Sequence, residues 1–328
     1  MNFKNFIGND EVKKQITYLL ESNRLPHAII IEGDIGLGKK TLAREIAMYL
    51  VCKNEDKPCF SCSACKKAMS GGHPDIFEYS GGLTARSFHI DVIRNVKQNA
   101  YILPNEAERK VYILGNAQSM SSQAQNALLK ILEEPPEYSV LILTATSKTA
   151  LLETVLSRCV SFKVDTVSVN DAVNYVSEKF PEQDASKIQE AASAWNGNIG
   201  KMIDGLVEGT LSKYTEIARE ICKGVLSDNE YILLKATSFF EKDKQTIKTV
   251  CTLLKSIFRD AIIASSGVDH FISAEKNLAL DFSSAFTKDK LLNLMSVVDN
   301  IDEMVDKNAN NTLLITKFCY SLREAVGR

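Results

Sequence analysis

A glycine-rich turn between an apolar strand and a helix is the first stretch of this sequence whose residue types suit phosphate binding. Residues 28–47 read AIIIEGDIGLGKKTLAREIA and fit the phosphate-loop pattern G-x-x-x-x-G-K-[ST] up to its last position. In such a loop, glycines let backbone N–H groups surround the phosphates, and the lysine reaches the terminal phosphates. The pattern therefore predicts a degenerate nucleotide site, with ATP or ADP as its ligand. Its candidate residues are Gly33, Gly36, Gly38, Lys39, Lys40 and Thr41.

Two parts of the hydrolytic machinery are missing from this pattern. Lys40 stands where a hydroxyl should bind Mg²⁺, and Thr41 does not replace it, because one residue along a helix rotates the side chain by about 100°. The strand KVYILGN should end in an acid that holds the metal, but Gly115 and Asn116 stand there. We therefore expect little or no intrinsic ATP hydrolysis. A tight glycine turn without any ligand is the alternative.

Four cysteines form the second group of residues with clear chemistry. Their spacing is Cys52-x6-Cys59-x2-Cys62-x2-Cys65, and four thiolates within so short a span suit a tetrahedral Zn²⁺. An iron–sulfur cluster is the alternative, because C-x2-C-x2-C also begins a ferredoxin run, although the expected fourth Cys and Pro do not follow. The other four of the eight cysteines lie in apolar segments and are predicted to be buried.

Composition narrows the class of protein. The chain has 328 residues, 45% of them apolar, and a formal net charge of -2. This length favours two or three domains, and the balanced charge gives no general attraction to nucleic acid or membrane. The N-terminus lacks a long apolar segment of the signal-peptide type, so we expect a cytoplasmic protein without disulfides.

Alternating strands and helices must position these residues. Short, apolar, β-branched runs predict a parallel sheet covered by helices on both faces within residues 1–162. The predicted strands are 28–32, 75–79, 111–114, 140–145 and 159–162. A helix is predicted around residues 121–134, ended by Pro135-Pro136. After residue 162 we expect only helices, in a small domain at 163–206 and a larger one at 207–328.

The order of these motifs resembles one protein family. The phosphate loop, the cysteine cluster, HPD, KVYILGNAQSMSSQAQNALLKILEEPP and TVLSRC together resemble the clamp-loader subunits of bacterial DNA polymerase III, which belong to the AAA+ superfamily. The resemblance covers most of residues 1–206 and implies a P-loop AAA+ α/β domain with an inserted zinc module, a helical lid domain and a helical collar for oligomerisation. The degenerate nucleotide site favours the delta-prime type over the ATPase gamma/tau type.

The resemblance also implies partners and a role for one arginine. Family members open the sliding clamp and place it on primed DNA, together with gamma/tau and delta subunits. The Ser-Arg-Cys motif is Ser157, Arg158 and Cys159 here, and in the family its arginine enters the ATP site of the neighbouring gamma subunit. A salt bridge at the end of its strand is the structural alternative for Arg158. The acids Glu133 and Glu134 in LEEPP are expected to have a packing or signalling role.

Two other functions remain open from the sequence. The chain can be an autonomous gamma-like ATPase with an atypical loop, or a zinc-dependent DNA-binding protein. For contacts with DNA phosphates, Ser87 and Arg94, near the start of a predicted helix and within it, are the candidates.

Overall fold

The chain divides into two compact units, residues 1–167 and residues 168–328. The computed structural model describes every residue except 82–87, 89, 228–229, 239–243, 268–270, 272, 274, 307–309 and 328. Among the described residues, none of the helices combines the length and the apolar character needed to cross a membrane.

The first unit alternates strands and helices. Its elements are α1 (Asp10–Glu21), β1 (Ala28–Glu32), α2 (Lys39–Val51), α3 (Ser63–Met69), β2 (Ile76–Ser80), α4 (Ile90–Ala100), β3 (Lys110–Gly115), α5 (Ser122–Glu133), β4 (Ser139–Ala145), α6 (Glu153–Leu156) and β5 (Val160–Lys163). The strands form one parallel sheet in the order β2-β3-β4-β1-β5. The predicted α/β fold class is confirmed.

Burial on both faces explains why these runs are strands. Every residue of β3 and β4 is buried, and alternate side chains of the sheet belong to two separate apolar clusters. Ile30, Tyr112 and Leu141 pack with α4, α5 and α6, whereas Ile31 and Ile113 pack on the other face with α1 and α2. A sheet covered on both sides needs nearly continuous apolar strands, which is the pattern in the sequence.

The second unit contains helices throughout its described residues. They are α7 (Val169–Lys179), α8 (Ala185–Ala194), α9 (Ile199–Val207), α10 (Thr210–Leu226), α11 (Glu230–Thr237), α12 (Lys244–Ser265), α13 (Lys276–Ala285), α14 (Lys288–Asp306) and α15 (Asn311–Ala325). The helical character expected after residue 162 is therefore confirmed from α7 onward. The division of this part into domains at 163–206 and 207–328 stays a prediction.

Asp75 fixes a loop of the first unit to the start of β2. Its fully buried carboxylate accepts hydrogen bonds from the backbone N–H groups of Asn105 (2.6 Å), Glu106 (2.7 Å) and Ala107 (2.9 Å). Burial opposes ionisation, but these hydrogen bonds outweigh it and lower the pKa of Asp75. Lys67 of α3 pairs with Glu106 at 2.7 Å, so the same loop also contacts the cysteine-containing segment.

We predict that Asp75→Asn lowers the free energy of unfolding of the first unit by about 3 kcal/mol at pH 7, because the amide removes the negative charge and one of the two accepting oxygens. Folding lowers the pKa of this carboxyl. Its stabilisation is therefore complete above the ordinary Asp value of about 3.9 and declines as the pH falls through the lower folded value. Urea unfolding followed by circular dichroism should show a smaller difference from wild type at pH 3 than at pH 7.

The exposed carboxylate of Asp10, in the first turn of α1, provides the matched control. Asp10→Asn should change the unfolding free energy by less than about 1 kcal/mol. An equal loss in the two variants would contradict a special role for Asp75.

Candidate functional site

The glycine-rich loop follows β1 at the carboxyl edge of the sheet. The side chain of its lysine, Lys39, folds back onto the loop. Gly36 and Gly38 have φ values of 89° and 78°, in the left-handed region that favours glycine. Lys39 begins α2 and is only 8% exposed. Its Nζ donates hydrogen bonds to the carbonyls of Gly33 (2.7 Å) and Asp34 (2.6 Å). The loop thus has the backbone shape of a phosphate-binding loop, and the ammonium group of Lys39 binds carbonyl groups of the same loop.

Lys40 takes part in an ion-pair cluster with the edge strand. Its ammonium group contacts Glu78 of β2, and Arg44 binds the same carboxylate through Nε (2.8 Å) and Nη2 (3.0 Å). Burial opposes ionisation of Glu78, but the hydrogen bonds from Arg44 and Lys40 lower its pKa. The residue that stands where a magnesium-binding hydroxyl is expected is therefore a cation paired with Glu78. Thr41, the next residue, is half-buried.

Gly115 and Asn116 stand at the end of β3, where an acidic metal ligand is expected. Gly115 is closely packed, and Asn116 is held by hydrogen bonds. Gly115 lies opposite Ser80 of β2, and a Cβ atom at residue 115 would lie 2.5 Å from Oγ of Ser80. Asn116 donates from Nδ2 to the carbonyl of Gly81 (2.9 Å) and from its backbone N to Oγ1 of Thr144 (3.2 Å). These groups cannot replace a carboxylate as a metal ligand or a general base.

One carboxylate at this edge was missed by the sequence analysis. Glu32 closes β1, directly before the loop, and its side chain is only 13% exposed. It accepts a hydrogen bond from the backbone N of Lys148 (3.2 Å) and forms an ion pair with Nζ of the same residue (3.7 Å). The sequence signal for Glu32 was its place as a polar residue at the end of an apolar strand. Its partner Lys148 could not be predicted, because it lies far away in the sequence.

The four cysteines converge as their spacing predicts. Cys52 caps the end of α2, Cys62 caps the start of α3, and all four Sγ atoms lie within 4.8 Å of one another. The Cys59–Cys65 and Cys52–Cys62 pairs have Sγ–Sγ distances of 3.9 and 4.0 Å. A tetrahedron with metal–sulfur bonds of about 2.3 Å has edges of about 3.8 Å, so these sulfurs are arranged to hold a metal ion.

Local hydrogen bonds favour the thiolate form of Cys59, whereas burial raises the pKa of the Cys65 thiol. The side chain of Ser61, followed by the backbone N–H groups of Cys62 and Ser61, lowers the pKa of Cys59 to about 5. The Cys62 N–H lies 3.3 Å from Sγ of Cys59, and the Cys65 N–H lies 3.4 Å from Sγ of Cys62. Such N–H···S contacts orient the ligands and support their negative charge.

Arg158 lies at the opposite, amino edge of the sheet. Strand β5 runs parallel to β1 with Val160 opposite Ile29, so Arg158 is level with His27. Gly33, where the loop begins, follows His27 by six residues along β1. At 3.3 Å per residue, Arg158 and the start of the loop are therefore about 20 Å apart along the strands. The arginine therefore cannot reach the phosphate loop of its own chain.

An ion pair holds the guanidinium of Arg158. Nη2 lies 2.8 Å from Oε1 of Glu133, at the end of α5, and Nη1 donates to the carbonyl of Thr154 (2.9 Å) and to Oγ of Ser157 (3.2 Å). The side chains of Arg158 and Glu133 are 36% and 49% exposed. The structure thus contains the salt bridge that was the structural alternative for Arg158. Burial raises the pKa of the neighbouring Cys159 thiol to about 11.

The candidates for DNA contacts gain no support from the geometry. Arg94 pairs with Asp91 of the same helix at 2.9 Å, and Ser87 lies outside the described residues.

A family profile and several curated relatives match this chain. The family profile described as "DNA polymerase III, delta subunit" matches residues 8–168. DNA polymerase III subunit gamma/tau of Mycoplasma pneumoniae is 32% identical over 207 residues, which is 62% of this chain and 30% of the relative. Subunit delta' of Haemophilus influenzae is 28% identical over 210 residues, 63% of each protein. The chain thus covers less than two thirds of either relative.

A solved structure is also similar to the chain. The gamma subunit-related protein of Thermotoga maritima has a TM-score of 0.42 and 22% identity, over 94% of this chain and 99% of that protein. The family match coincides with the unit that carries the loop, the cysteine cluster and Arg158. Residues 8–168 therefore match the family of DNA polymerase III delta-type subunits, and the relatives reported above are subunits of the gamma/tau and delta' types.

Proposed function

We propose that this chain is a non-hydrolysing, delta-prime-type subunit of the DNA polymerase III clamp loader, and that Arg158 completes the ATP site of a neighbouring gamma subunit. The observation that carries the proposal is the position of Arg158 at the amino edge of the sheet, about 20 Å along the strands from its own loop. At this distance, Arg158 cannot contact a nucleotide bound to its own loop. A nucleotide that it contacts is therefore bound to another molecule.

The chemistry of phosphoryl transfer explains why such an arginine matters. Negative charge spreads over the transferring group, and a guanidinium supplied by a partner stabilises that charge, by a factor of about 10³–10⁵ in rate. The planar fork of arginine also matches two phosphate oxygens at once. A subunit without its own metal ligands is then still required for hydrolysis by the assembly.

Glu133 has a defined place in this proposal. Its carboxylate neutralises Arg158 in the free chain, at a distance of 2.8 Å. A phosphate group that approaches Arg158 repels Glu133 and replaces it as the partner of the guanidinium. Both side chains are partly exposed, so the ion pair contributes little stability and the exchange costs little.

A gamma-type ATPase is the second candidate function. It is favoured by the intact glycine loop with Lys39, and by the relative from Mycoplasma pneumoniae, whose name is gamma/tau. The ion pair of Lys40 with Glu78 and the absence of a carboxylate at Gly115 and Asn116 oppose it.

For the cysteine cluster we propose a structural Zn²⁺. Four thiolates leave no coordination position for a substrate, and their Sγ distances fit a tetrahedral ion. The ion would join the end of α2 to the start of α3. The proposed partners are the gamma/tau and delta subunits, the sliding clamp and primed DNA.

We predict that the purified chain does not hydrolyse ATP above background at saturating Mg²⁺, because Lys40, Gly115 and Asn116 provide no metal ligand. Steady-state release of phosphate measures this. Lys39→Ala is the control: it should leave the background unchanged and weaken any binding of ATP seen by calorimetry. Turnover near about 1 s⁻¹ that Lys39→Ala abolishes would instead support the gamma-type function.

Complexes rebuilt with Arg158→Ala should show lower DNA- and clamp-stimulated ATPase and slower clamp loading than wild type. The loss should be partial, because other ATP sites of the assembly would receive their arginine from gamma subunits. Arg158→Lys should not restore the rates, because an ammonium group lacks the fork.

Glu133→Gln is the matched control for Arg158→Ala, because it breaks the same ion pair and keeps the arginine. A purely structural ion pair predicts equal losses in the two variants. Our proposal predicts that Glu133→Gln retains the wild-type ATPase rate.

About one equivalent of zinc should copurify with the chain, measured by elemental mass spectrometry. Cys62→Ser should release it and lower the unfolding midpoint of the first unit, because structural zinc contributes folding energy. Cys251→Ser, which changes a buried thiol in α12, should keep the zinc content. A brown, iron-containing protein would favour the iron–sulfur alternative, and a metal-free protein of full stability would exclude both.

A further inference from the structure

The four clustered cysteines of the first unit differ in how far dissolved molecules can reach them. Cys52 and Cys65 are 2% and 0% exposed, whereas Cys59 and Cys62 are half-buried. The thiol of Cys59 is open to solvent. A small reagent in water can therefore reach one side of the cluster, although four thiolates leave an enclosed metal ion no free coordination position.

Each half-buried thiol has a buried thiol as its neighbour. Sγ of Cys59 lies 3.9 Å from Sγ of Cys65, and Sγ of Cys62 lies 4.0 Å from Sγ of Cys52. A disulfide joins sulfurs that are about 2.05 Å apart, so each pair has to close by about 2 Å to form one. The cluster therefore contains two pairs in which a more accessible thiol lies beside a protected one.

We propose that the cysteine cluster is a reversible oxidation site, at which a hydroperoxide converts the four thiolates into two disulfides, one in each pair, and releases the zinc ion. The inference rests on the structural zinc proposed above and adds a chemical reaction to it. Metal coordination keeps a thiol deprotonated, and the thiolate is the form that attacks an electrophile such as a peroxide.

With hydrogen peroxide, the reaction balances in two steps for each pair. The thiolate of Cys59 attacks one peroxide oxygen and forms a sulfenic acid, while the other oxygen leaves as hydroxide, so the sulfur is oxidised and the peroxide reduced. The thiolate of Cys65 then attacks that sulfur, forms the S–S bond and expels a second hydroxide. The two remaining thiolates are too few to hold a structural Zn²⁺, and they react with a second peroxide in the same way.

The other four cysteines have less reactive surroundings. Cys222 and Cys251 are fully buried, and burial raises the pKa of both thiols, that of Cys251 to about 12. Burial also raises the pKa of the Cys159 thiol to about 11, and it raises the pKa of the Cys319 thiol. At neutral pH these four groups stay protonated and react slowly with peroxides. They therefore serve as internal controls within the same chain.

Oxidation is expected to loosen the start of α3. Sγ of Cys62 accepts a hydrogen bond from the N–H of Cys65 at 3.4 Å and thereby caps this helix. Closing on Cys52 moves the sulfur away from that N–H, so the cap weakens and α3 opens more often. Because Lys67 of α3 pairs with Glu106 at 2.7 Å, the change also reaches the loop that contains Glu106.

The test treats the full chain, as purified with its zinc, with hydrogen peroxide at neutral pH. A chelating dye measures released zinc, a thiol-specific dye counts thiols, and mass spectrometry of peptides maps disulfides. We expect release of about one zinc ion, loss of four of the eight thiols, and disulfides that join Cys59 to Cys65 and Cys52 to Cys62. Dithiothreitol with added zinc should restore both counts.

Two controls separate the cluster from general oxidation of the chain. Cys251→Ser should release zinc at the same peroxide concentration as wild type, because this buried thiol takes no part. Amide hydrogen exchange should become faster in α3 after oxidation and stay unchanged in α1. Zinc that stays bound, disulfides in other pairings, or thiols that dithiothreitol does not restore would each overturn the inference.

The same measurements distinguish this inference from the proposals on which it rests. An untreated chain without zinc contradicts the structural zinc. Disulfides in the two expected pairs would then still support the oxidation site, and thiols that stay reduced would contradict it. Clamp-loader activity enters none of these measurements, so a failure of the proposed clamp-loader function leaves the outcome unaffected.

Discussion

The shared direction of the five strands is the constraint on which the candidate site depends. Parallel pairing of β1 with β4 and β5 brings every strand end to one edge and every strand start to the other. The glycine loop follows β1 and therefore lies at the carboxyl edge, where ligands of α/β sheets bind. Arg158 precedes β5 and lies at the other edge. One protein of this topology thus presents two surfaces of different chemistry, and a row of such subunits can bring one surface against the other.

Competing carboxylates control the cations of both edges. Glu78 engages Lys40 and Arg44, and Glu133 engages Arg158. At the carboxyl edge, these pairs tie α2 to β2 and fix a lysine where catalysis would require a metal ligand. At the amino edge, a single carboxylate binds a single cation, and both side chains are partly exposed. The two ion-pair groups therefore differ in their carboxylates: Glu78 binds two cations and is 25% exposed, whereas Glu133 binds one and is 49% exposed.

The sequence predicted the features that depend on neighbouring residues. All five strands lie within one residue of the predicted bounds, and α5 begins after Ser121, whose Oγ accepts from the N–H of Ala124 at 3.2 Å. The cysteine spacing also predicted the cluster. The partners of Lys40 and Arg158 were not predicted, because they come from other elements and no periodicity encodes them.

The packing around Gly115 and Asn116 determines which side chains this strand end accepts without rearrangement. Any side chain at residue 115 meets Oγ of Ser80 at 2.5 Å, so an aspartate there requires Ser80 to rotate or be replaced first. Asn116 has a φ of 56°, which asparagine tolerates better than glutamate does. An acidic pair at residues 115 and 116 therefore carries a local conformational cost, a new rotamer of Ser80 and an unfavourable backbone at residue 116, which Gly115 and Asn116 avoid.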